Sequence, residues 1–144
     1  MSRHNGHCRC EGVVISVQGE PEVSVYCHCD DCRRVTGAPV TAFAAFALDD
    51  VALAATEPDT IRHVSHTQGV ERWFCGACGS PLKAWFTYLP DQAFLPLGVL
   101  DQAPDMSPRL HCFANDAMPW LKIDDDLPRA IDSGADILQS AADG

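Results

Sequence analysis

Short apolar runs separated by turn residues dominate the chain. Residues 22–26 alternate polar and apolar side chains directly before a cysteine, which is typical of a half-buried strand. Other runs are rich in apolar residues and are bounded by Gly, Pro, Asp or Ser, as strands are. They lie at residues 12–17, 40–46, 60–66, 70–74, 82–86, 94–100 and 110–114. The pattern therefore predicts one mainly antiparallel β domain.

Few segments favour a helix. Residues 30–34 fit a short helical turn that glycine and proline then end. Residues 130–142 have apolar residues at helical spacing interrupted by Gly134, and we expect a frayed helix or disorder there. Residues 49–58 leave strand and helix open, because their apolar positions alternate but include several alanines. Five prolines in residues 81–108 exclude long helices from that half.

Composition and charge exclude several classes of partner. The 144 residues suit one domain, and 47% of them are hydrophobic, enough for a core. The net charge of −10 argues against nucleic-acid and anionic-membrane partners, which require a basic surface. No apolar run approaches the roughly 18 residues of a membrane span, and the first residues lack the apolar stretch of a secretory signal. We therefore expect a cytoplasmic protein.

The unusual feature is the presence of eight cysteines, seven of them in three tight groups. In a reducing compartment disulfides are rare, and clustered cysteines usually bind metal. Thiolates suit zinc, with iron–sulfur as the chemical competitor. The groups are Cys8 and Cys10, then Cys27, Cys29 and Cys32, then Cys75 and Cys78.

Seven clustered cysteines divide naturally into four and three. A structural zinc takes four protein ligands, whereas a catalytic zinc typically keeps three and one open position. The two pairs can each present two thiolates to one ion, which would connect the N-terminal segment to the middle of the chain. Residues 75–79 have the Cys-x-x-Cys-Gly shape of a zinc knuckle, whose glycines permit a tight turn. The spacing thus favours one four-cysteine site and one three-cysteine site.

The triad Cys27, Cys29 and Cys32 leaves two alternatives. Its thiolates can surround one face of an ion and leave the opposite face to water or a substrate thiolate. Alternatively, a further ligand closes the site. The candidates for that ligand are His7, His28, His111 and Cys112.

Three other features have simpler interpretations. We expect Cys112 to be a buried, inert thiol in an apolar strand. His111 alternates to the opposite face of that strand, and we expect it to form hydrogen bonds rather than bind metal. The three aspartates at 124–126 are interpreted as a solvated turn.

The ordered motifs resemble those of the glutathione-dependent formaldehyde-activating enzyme family, which includes centromere protein V. The resemblance covers about residues 4–130, as one zinc-binding domain, and leaves residues 131–144 as a C-terminal tail. The matching motifs are Cys8-Arg9-Cys10, Cys27-His28-Cys29-Asp30-Asp31-Cys32-Arg33-Arg34 with Thr36-Gly37, Phe74-Cys75-Gly76-Ala77-Cys78-Gly79-Ser80, His111-Cys112-Phe113, Pro119-Trp120 and Asp126-Leu127-Pro128.

The resemblance implies a β-tent fold of small antiparallel sheets stapled by two zinc ions. By motif matching, Cys8, Cys10, Cys75 and Cys78 hold the structural zinc, and Cys27, Cys29 and Cys32 hold the catalytic zinc. The implied activity joins glutathione and formaldehyde into S-hydroxymethylglutathione and is classed as a carbon–sulfur lyase in the reverse sense.

We therefore expect a zinc-dependent enzyme whose partner is a small-molecule thiol or a thiol–aldehyde adduct. A substrate thiol at the open position would be favoured as its thiolate, and Arg33 or Arg34 could bind a substrate carboxylate. The acidic net charge opposes an anionic thiol such as glutathione unless attraction is local. A non-catalytic zinc-stabilised binding module and a zinc-thiolate redox sensor remain as alternatives.

Overall fold

The computed structural model describes residues 3–57 and 59–137, and within them ten β-strands and one complete α-helix. The predicted mainly β class is confirmed. The helix is α1 (Asp30–Thr36), and the strands are β1 (Arg3–His7), β2 (Val13–Gln18), β3 (Val23–Cys27), β4 (Thr41–Ala47), β5 (Val51–Ala55), β6 (Ile61–Val64), β7 (Val70–Cys75), β8 (Pro81–Phe86), β9 (Gln92–Pro96) and β10 (His111–Cys112).

The strands form two sheets. One has three strands in the order β1-β2-β5, and the other has seven in the order β10-β3-β4-β9-β8-β7-β6. Neighbouring strands are antiparallel, with β3 and β10 as the parallel exception. The parallel pairing places Cys112 opposite Cys27 and His111 opposite Tyr26. It therefore brings the C-terminal part of the chain next to the triad.

Strand β4 is buried on both faces and separates two apolar clusters. Phe43 and Ala45 belong to the cluster that includes Cys27 and Cys32. Their neighbours Ala44 and Phe46 belong to a second cluster, which contains Cys8 and Cys75 together with the buried side of β2. Burial of this apolar area stabilises the fold by roughly 25 cal/mol per Å². Because each cluster includes cysteines of one group, the core holds both cysteine groups in place.

The helix α1 begins and ends as its sequence requires. The Sγ atom of Cys29 caps it by accepting a hydrogen bond from the backbone N–H of Cys32. Gly37 ends it in the left-handed conformation, with φ at 74°, where glycine has no steric penalty. The helical turn predicted at residues 30–34 is confirmed and extends to Thr36.

Most predicted strands are confirmed, and three segments differ. The strand predicted at 94–100 ends at Pro96, after which residues 97–99 form a 3₁₀ turn. The strand predicted at 110–114 has only two residues, because Phe113 adopts a left-handed conformation with φ at 53°. The ambiguous segment 49–58 contains the strand β5.

Strand β1 was not predicted, because its Arg-His-Asn-Gly-His sequence carries no apolar alternation. It pairs with all six residues of β2 except the first, from Arg3 opposite Gln18 to His7 opposite Val14. The backbone N–H of Asp101 also bonds the carbonyl of Asn5 at 2.8 Å. Backbone pairing on both sides, rather than side-chain pattern, therefore holds this strand.

The segment after β10 stays in contact with it. The backbone N–H of Ala130 donates to the carbonyl of His111, and the N–H of Phe113 donates to that of Asp132, both at 2.8 Å. The predicted boundary between domain and tail at residue 130 stays a prediction. Of the predicted frayed helix, residues 135–137 are helical, and residues 138–144 lie outside the described residues.

In residues 3–57 and 59–137, no helix combines the length and the apolar character needed to cross a membrane.

Candidate metal-binding sites

The structure brings together the sulfur atoms of Cys8, Cys10, Cys75 and Cys78, which all lie within 4.8 Å of one another. Two of the separations are 3.5 Å for Cys8 to Cys10 and 3.7 Å for Cys10 to Cys75. A disulfide would require about 2.05 Å, whereas tetrahedral zinc with bonds of about 2.3 Å places sulfurs about 3.8 Å apart. The cluster therefore has the spacing of a four-sulfur metal site.

Turns at the strand ends set this geometry. Cys75 ends β7, and its carbonyl accepts from the N–H of Gly79, which has φ at 82°. A left-handed residue closes the Cys-x-x-Cys knuckle there. On the other side, the N–H of Val13 donates to the Sγ of Cys8 at 3.3 Å. Such donors favour the thiolate form that binds metal.

Ser80, which ends the motif at residues 74–80 and had no predicted role, connects the two cysteine pairs. Its hydroxyl oxygen accepts from the backbone N–H of Arg9 at 2.9 Å and lies 3.2 Å from the Sγ of Cys78. The hydrogen bond from Ser80 is the main reason that the pKa of Cys78 is lowered to about 5. The only sequence signal was the position of a serine directly after the knuckle.

The triad forms where β3 meets α1. Cys27 ends β3, Cys29 caps α1, and Cys32 lies in the first turn of that helix. The Sγ of Cys27 lies 3.4 Å from each of the other two sulfurs. Cys32 is only 1% exposed. The three residues therefore present their sulfurs together, as the spacing predicts.

The triad thiols are strongly coupled. Hydrogen bonds from Cys27 and Cys32 are the main reason that the pKa of Cys29 is lowered to about 2. The pKa of Cys27 is raised, first by its hydrogen bonds to Cys29 and Cys32 and then by burial. The sulfurs therefore share hydrogen bonds at close range, and a bound metal cation would take the place of the protons in them.

Among the described residues, no fourth His, Cys, Asp or Glu side chain completes the triad. Cys112 is buried beside Cys27, but its sulfur is not part of the triad's group of ligand atoms. Burial is the main reason that the pKa of Cys112 is raised to about 12. A thiol of this kind stays protonated and packs as a small apolar group. The interpretation of Cys112 as a packing residue is therefore supported.

A buried arginine lies beside the triad, and no local pattern in the sequence marks it. The Nη2 atom of Arg72 donates to the Sγ of Cys32 at 3.5 Å and to Oδ2 of Asp31 at 2.6 Å. The Oγ1 of Thr67 donates to the other oxygen of Asp31 at 2.6 Å. Asp31 therefore fixes the guanidinium against the sulfur.

The two arginines considered as carboxylate ligands are already paired. The Nη2 of Arg33 lies 2.5 Å, and the Nε of Arg34 3.0 Å, from Oδ1 of Asp30. These pairs are three and four residues apart on the surface of α1, a geometry that stabilises a helix modestly. Asp30 therefore already occupies both arginines, and Arg72 is the arginine that contacts the triad.

Two buried histidines belong to a chain of hydrogen bonds and not to either group of metal-ligand atoms. The Nε2 of His28 lies 2.8 Å from Nδ1 of His111, whose Nε2 lies 2.9 Å from Oδ2 of Asp125. Arg129 in turn donates to Oδ1 of Asp125 at 2.8 Å. His111 therefore forms hydrogen bonds, as expected. The predicted solvated turn at 124–126 is only partly correct, since Asp125 is half-buried and bonded.

Comparison with known proteins agrees with these motifs. The chain matches the family described as Glutathione-dependent formaldehyde-activating enzyme over residues 3–116, which include all seven clustered cysteines. An uncharacterized lyase of Schizosaccharomyces pombe is 29% identical over 89 residues. That match covers 61% of this chain, and the chain spans 60% of the length of this curated relative.

A solved structure shares the fold. The crystal structure of a Rhodobacter sphaeroides protein, a structural genomics target, matches with a TM-score of 0.57 and 18% sequence identity. The match covers 88% of this chain and 99% of that chain. Since the family match spans most of the sequence, the chain belongs to the glutathione-dependent formaldehyde-activating enzyme family.

Proposed function

We propose that this protein is a zinc-dependent enzyme of the carbon–sulfur lyase type that makes and breaks a thiol–aldehyde adduct. The pair we favour is glutathione and formaldehyde, since the family is described by that chemistry and the yeast relative is named a lyase. In the forward direction the thiol sulfur bonds to the carbonyl carbon, and the thiol proton ends on the carbonyl oxygen. The reverse direction breaks the same bond, and neither direction requires an oxidant or reductant.

The triad is the single observation that carries this proposal. Its three sulfurs share one group of ligand atoms, and no fourth ligand atom from the described residues joins them. Three protein ligands and one position for water or substrate is the arrangement of a catalytic zinc. We assign Cys27, Cys29 and Cys32 to that ion. When bound, zinc favours the thiolate of a thiol substrate and polarises an aldehyde oxygen.

Arg72 is the cationic group that contacts this site, and Asp31 shares its charge. Three thiolates and one Zn²⁺ sum to a single negative charge, which disfavours an approaching anion. The guanidinium of Arg72 lies 3.5 Å from Cys32 and is only 9% exposed, so water screens its charge weakly. Its bonds to Asp31 keep it in place before any ligand arrives. Arg72 thereby lowers the cost of placing a thiolate or an alkoxide near the triad.

The four-cysteine cluster has a structural role in this proposal. We assign Cys8, Cys10, Cys75 and Cys78 to a second zinc that staples the N-terminal segment to the β7–β8 turn within a β-tent fold. The four sulfurs satisfy the tetrahedral requirement without an open position. All seven thiols must stay reduced to bind metal, which suits the cytoplasm as the compartment of action.

Metal content and reaction rate test the proposal together. Exchange NMR with ¹³C-labelled formaldehyde and glutathione measures how fast the adduct forms and breaks. We expect the wild type to hold two zinc ions per chain and to accelerate the exchange. Cys29→Ser should lose the triad zinc and the acceleration, whereas the matched control Cys112→Ala should retain both.

Other outcomes separate the alternatives. A Cys29→Ser variant with unchanged zinc content and unchanged exchange rate would contradict the catalytic assignment. Two tightly held zinc ions, no response to added thiol and no acceleration would indicate a structural binding module. Release of the triad zinc by mild oxidant, again without acceleration, would indicate a redox sensor.

A further inference from the structure

A cleft of about 360 Å³ lies between α1 and the strands β7 and β8. We refer to it as the β7–β8 cleft. Val35 and Thr36 of α1 form one side, and Trp73 and Lys83 contribute to the opposite side. Binding sites for small organic molecules have volumes of roughly 300–1,000 Å³. The cleft is therefore large enough for a ligand of tripeptide size.

The cleft lies one side chain away from the triad. Arg72 lines it and also contacts the Sγ of Cys32 at 3.5 Å. Phe43 lines it as well, and also lines a small cavity of about 20 Å³ whose walls include Cys27 and Cys32. Arg72 and Phe43 are therefore the side chains that connect the cleft with the sulfur cluster.

The charged side chains that line the cleft are basic in a strongly acidic protein. They are Lys83 and Arg72, whose charge is shared with Asp31, and none of the lining residues in the described part of the chain is an aspartate or glutamate. The chain as a whole carries a net charge of −10. A cationic recess in an anionic surface attracts an anion locally while the remaining surface repels it. This distribution of charge favours an anionic ligand in this cleft.

Lys83 is the residue in this recess that lacks a counterion. Its Nζ lies 4.2 Å from the centroid of the Trp73 ring, a cation–π contact. No carboxylate of residues 3–57 or 59–137 lies within salt-bridge distance of it. Partial burial lowers the pKa of Lys83, because the charged form loses water without gaining an anion. Arg72, by contrast, is already paired with Asp31.

We propose that the β7–β8 cleft binds the carboxylate-bearing part of the thiol substrate, with Lys83 as the residue that recognises the carboxylate. This inference rests on the proposed function and adds to it the cleft and the residue that select a carboxylate-bearing thiol. A carboxylate at Lys83 satisfies the unpaired ammonium group, and the apolar walls accommodate the rest of the ligand. Arg72, which lines the cleft and contacts Cys32, then lies beside the bound ligand.

Binding of S-methylglutathione tests the cleft separately from the chemistry. This probe keeps both carboxylates of glutathione, but its blocked sulfur cannot add to an aldehyde. Titration calorimetry on the zinc-loaded protein should show binding to the wild type. Lys83→Met keeps the length of the side chain and its contact with Trp73 but removes the charge, so we expect it to weaken binding by about 10- to 100-fold.

Matched variants and a modified ligand complete the experiment. Lys122→Met removes the chain's other lysine, which is exposed and outside the cleft, and should bind like the wild type. Lys83→Arg should retain most of the affinity. On the ligand side, the diethyl ester of S-methylglutathione should bind the wild type as weakly as the acid binds Lys83→Met. This comparison uses the unaltered protein, so it does not depend on whether a variant folds.

The inference is overturned if the wild type does not bind S-methylglutathione, or if Lys83→Met and the diethyl ester bind as tightly as the unmodified pair. Failure of the proposed function gives a different result. In that case binding of S-methylglutathione still depends on Lys83, while exchange NMR shows no acceleration with glutathione and formaldehyde.

Discussion

The imidazole rings of His28 and His111 share a hydrogen bond of 2.8 Å between Nε2 and Nδ1, and the chain continues from His111 to Asp125. Because an ionised carboxylate only accepts hydrogen bonds, Nε2 of His111 carries the proton that it shares with Asp125. In the neutral His111 ring Nδ1 is then the acceptor, and Nε2 of His28 is the donor. His28 lies between two triad cysteines, so this chain anchors the triad loop to the C-terminal segment.

Removal of His111 should destabilise the protein, because its hydrogen-bond partners would be left unpaired. In His111→Phe, the buried Nε2–H of His28 loses its acceptor, and we expect a loss of about 1–3 kcal/mol in the free energy of unfolding. Urea denaturation measures the change. His66→Phe is the matched control, since His66 is exposed, and should have little effect. Equal stability of the two variants would mean that the histidine pair contributes nothing to the fold.

The stability of the protein should depend on pH through Asp125. Its pKa is lowered to about 2, first by the hydrogen bond from His111, whereas an unfolded aspartate has a pKa of about 3.9. Since the folded value is the lower one, the stabilisation is present above about pH 4 and is lost as the pH falls towards 2. Asp125→Asn should remove this part of the acid dependence in denaturation measured from pH 6 to pH 2.

The control for this titration is the neighbouring aspartate. Asp124 is exposed, so Asp124→Asn should keep the wild-type dependence on pH. If Asp125→Asn and the wild type lose stability in parallel below pH 4, then the bond to His111 does not shift the titration of this carboxyl.

The triad and the knuckle could be predicted because their geometry is local. Cys27, Cys29 and Cys32 fall on a strand end and the first turn of the next helix, so their spacing alone brings the sulfurs together. Alternating apolar positions likewise predicted the strand that delivers Cys27. Where the structure follows from a few consecutive residues, the sequence is sufficient.

Apart from the pairing of the two cysteine groups, contacts between distant segments left no such pattern. Arg72 reaches Asp31 across 41 positions of the chain, and His28 reaches His111 across 83. The first contact depends on β7 lying beside α1, and the second depends on the parallel pairing of β3 with β10. In the sequence, a polar residue that will be buried looks the same as an exposed one. Its hydrogen-bond partner lies far away in the chain and reaches it only after the sheets have assembled.

Loss of a knuckle cysteine should remove one zinc and much of the stability. Cys75 is buried at the end of β7 and shares its cluster with Cys8, which lies directly after β1. Because binding of a structural metal is coupled to folding, we expect Cys75→Ser to lose one zinc equivalent and several kcal/mol of stability. Metal analysis and thermal denaturation measure the two effects.

Cys112→Ala is the matched comparison for this variant. Cys112 is equally buried but belongs to neither group of ligand atoms. We expect it to keep both zinc ions and to lose only about 1 kcal/mol, the scale of deleting a small buried group. A zinc loss in Cys112→Ala equal to that in Cys75→Ser would show that Cys112 is a ligand.

Gly6 is the position in β1 where a single methyl group should disturb the four-cysteine cluster. A Cβ atom there would lie 2.1 Å from the backbone oxygen of Val99. Because this oxygen belongs to the main chain, it cannot move aside by rotation as a side chain can. Since β1 leads directly to Cys8, relief of this clash must displace the strand that positions the first cysteine of the cluster. We expect Gly6→Ala to lower the free energy of unfolding by about 1–3 kcal/mol and to weaken zinc binding at the four-cysteine cluster while the triad is unaffected.

Gly98→Ala is the control, since no atom lies within 4 Å of its Cβ. Chelator competition monitored by zinc release distinguishes the two sites. Identical zinc release and melting in both variants would show that β1 tolerates the displacement.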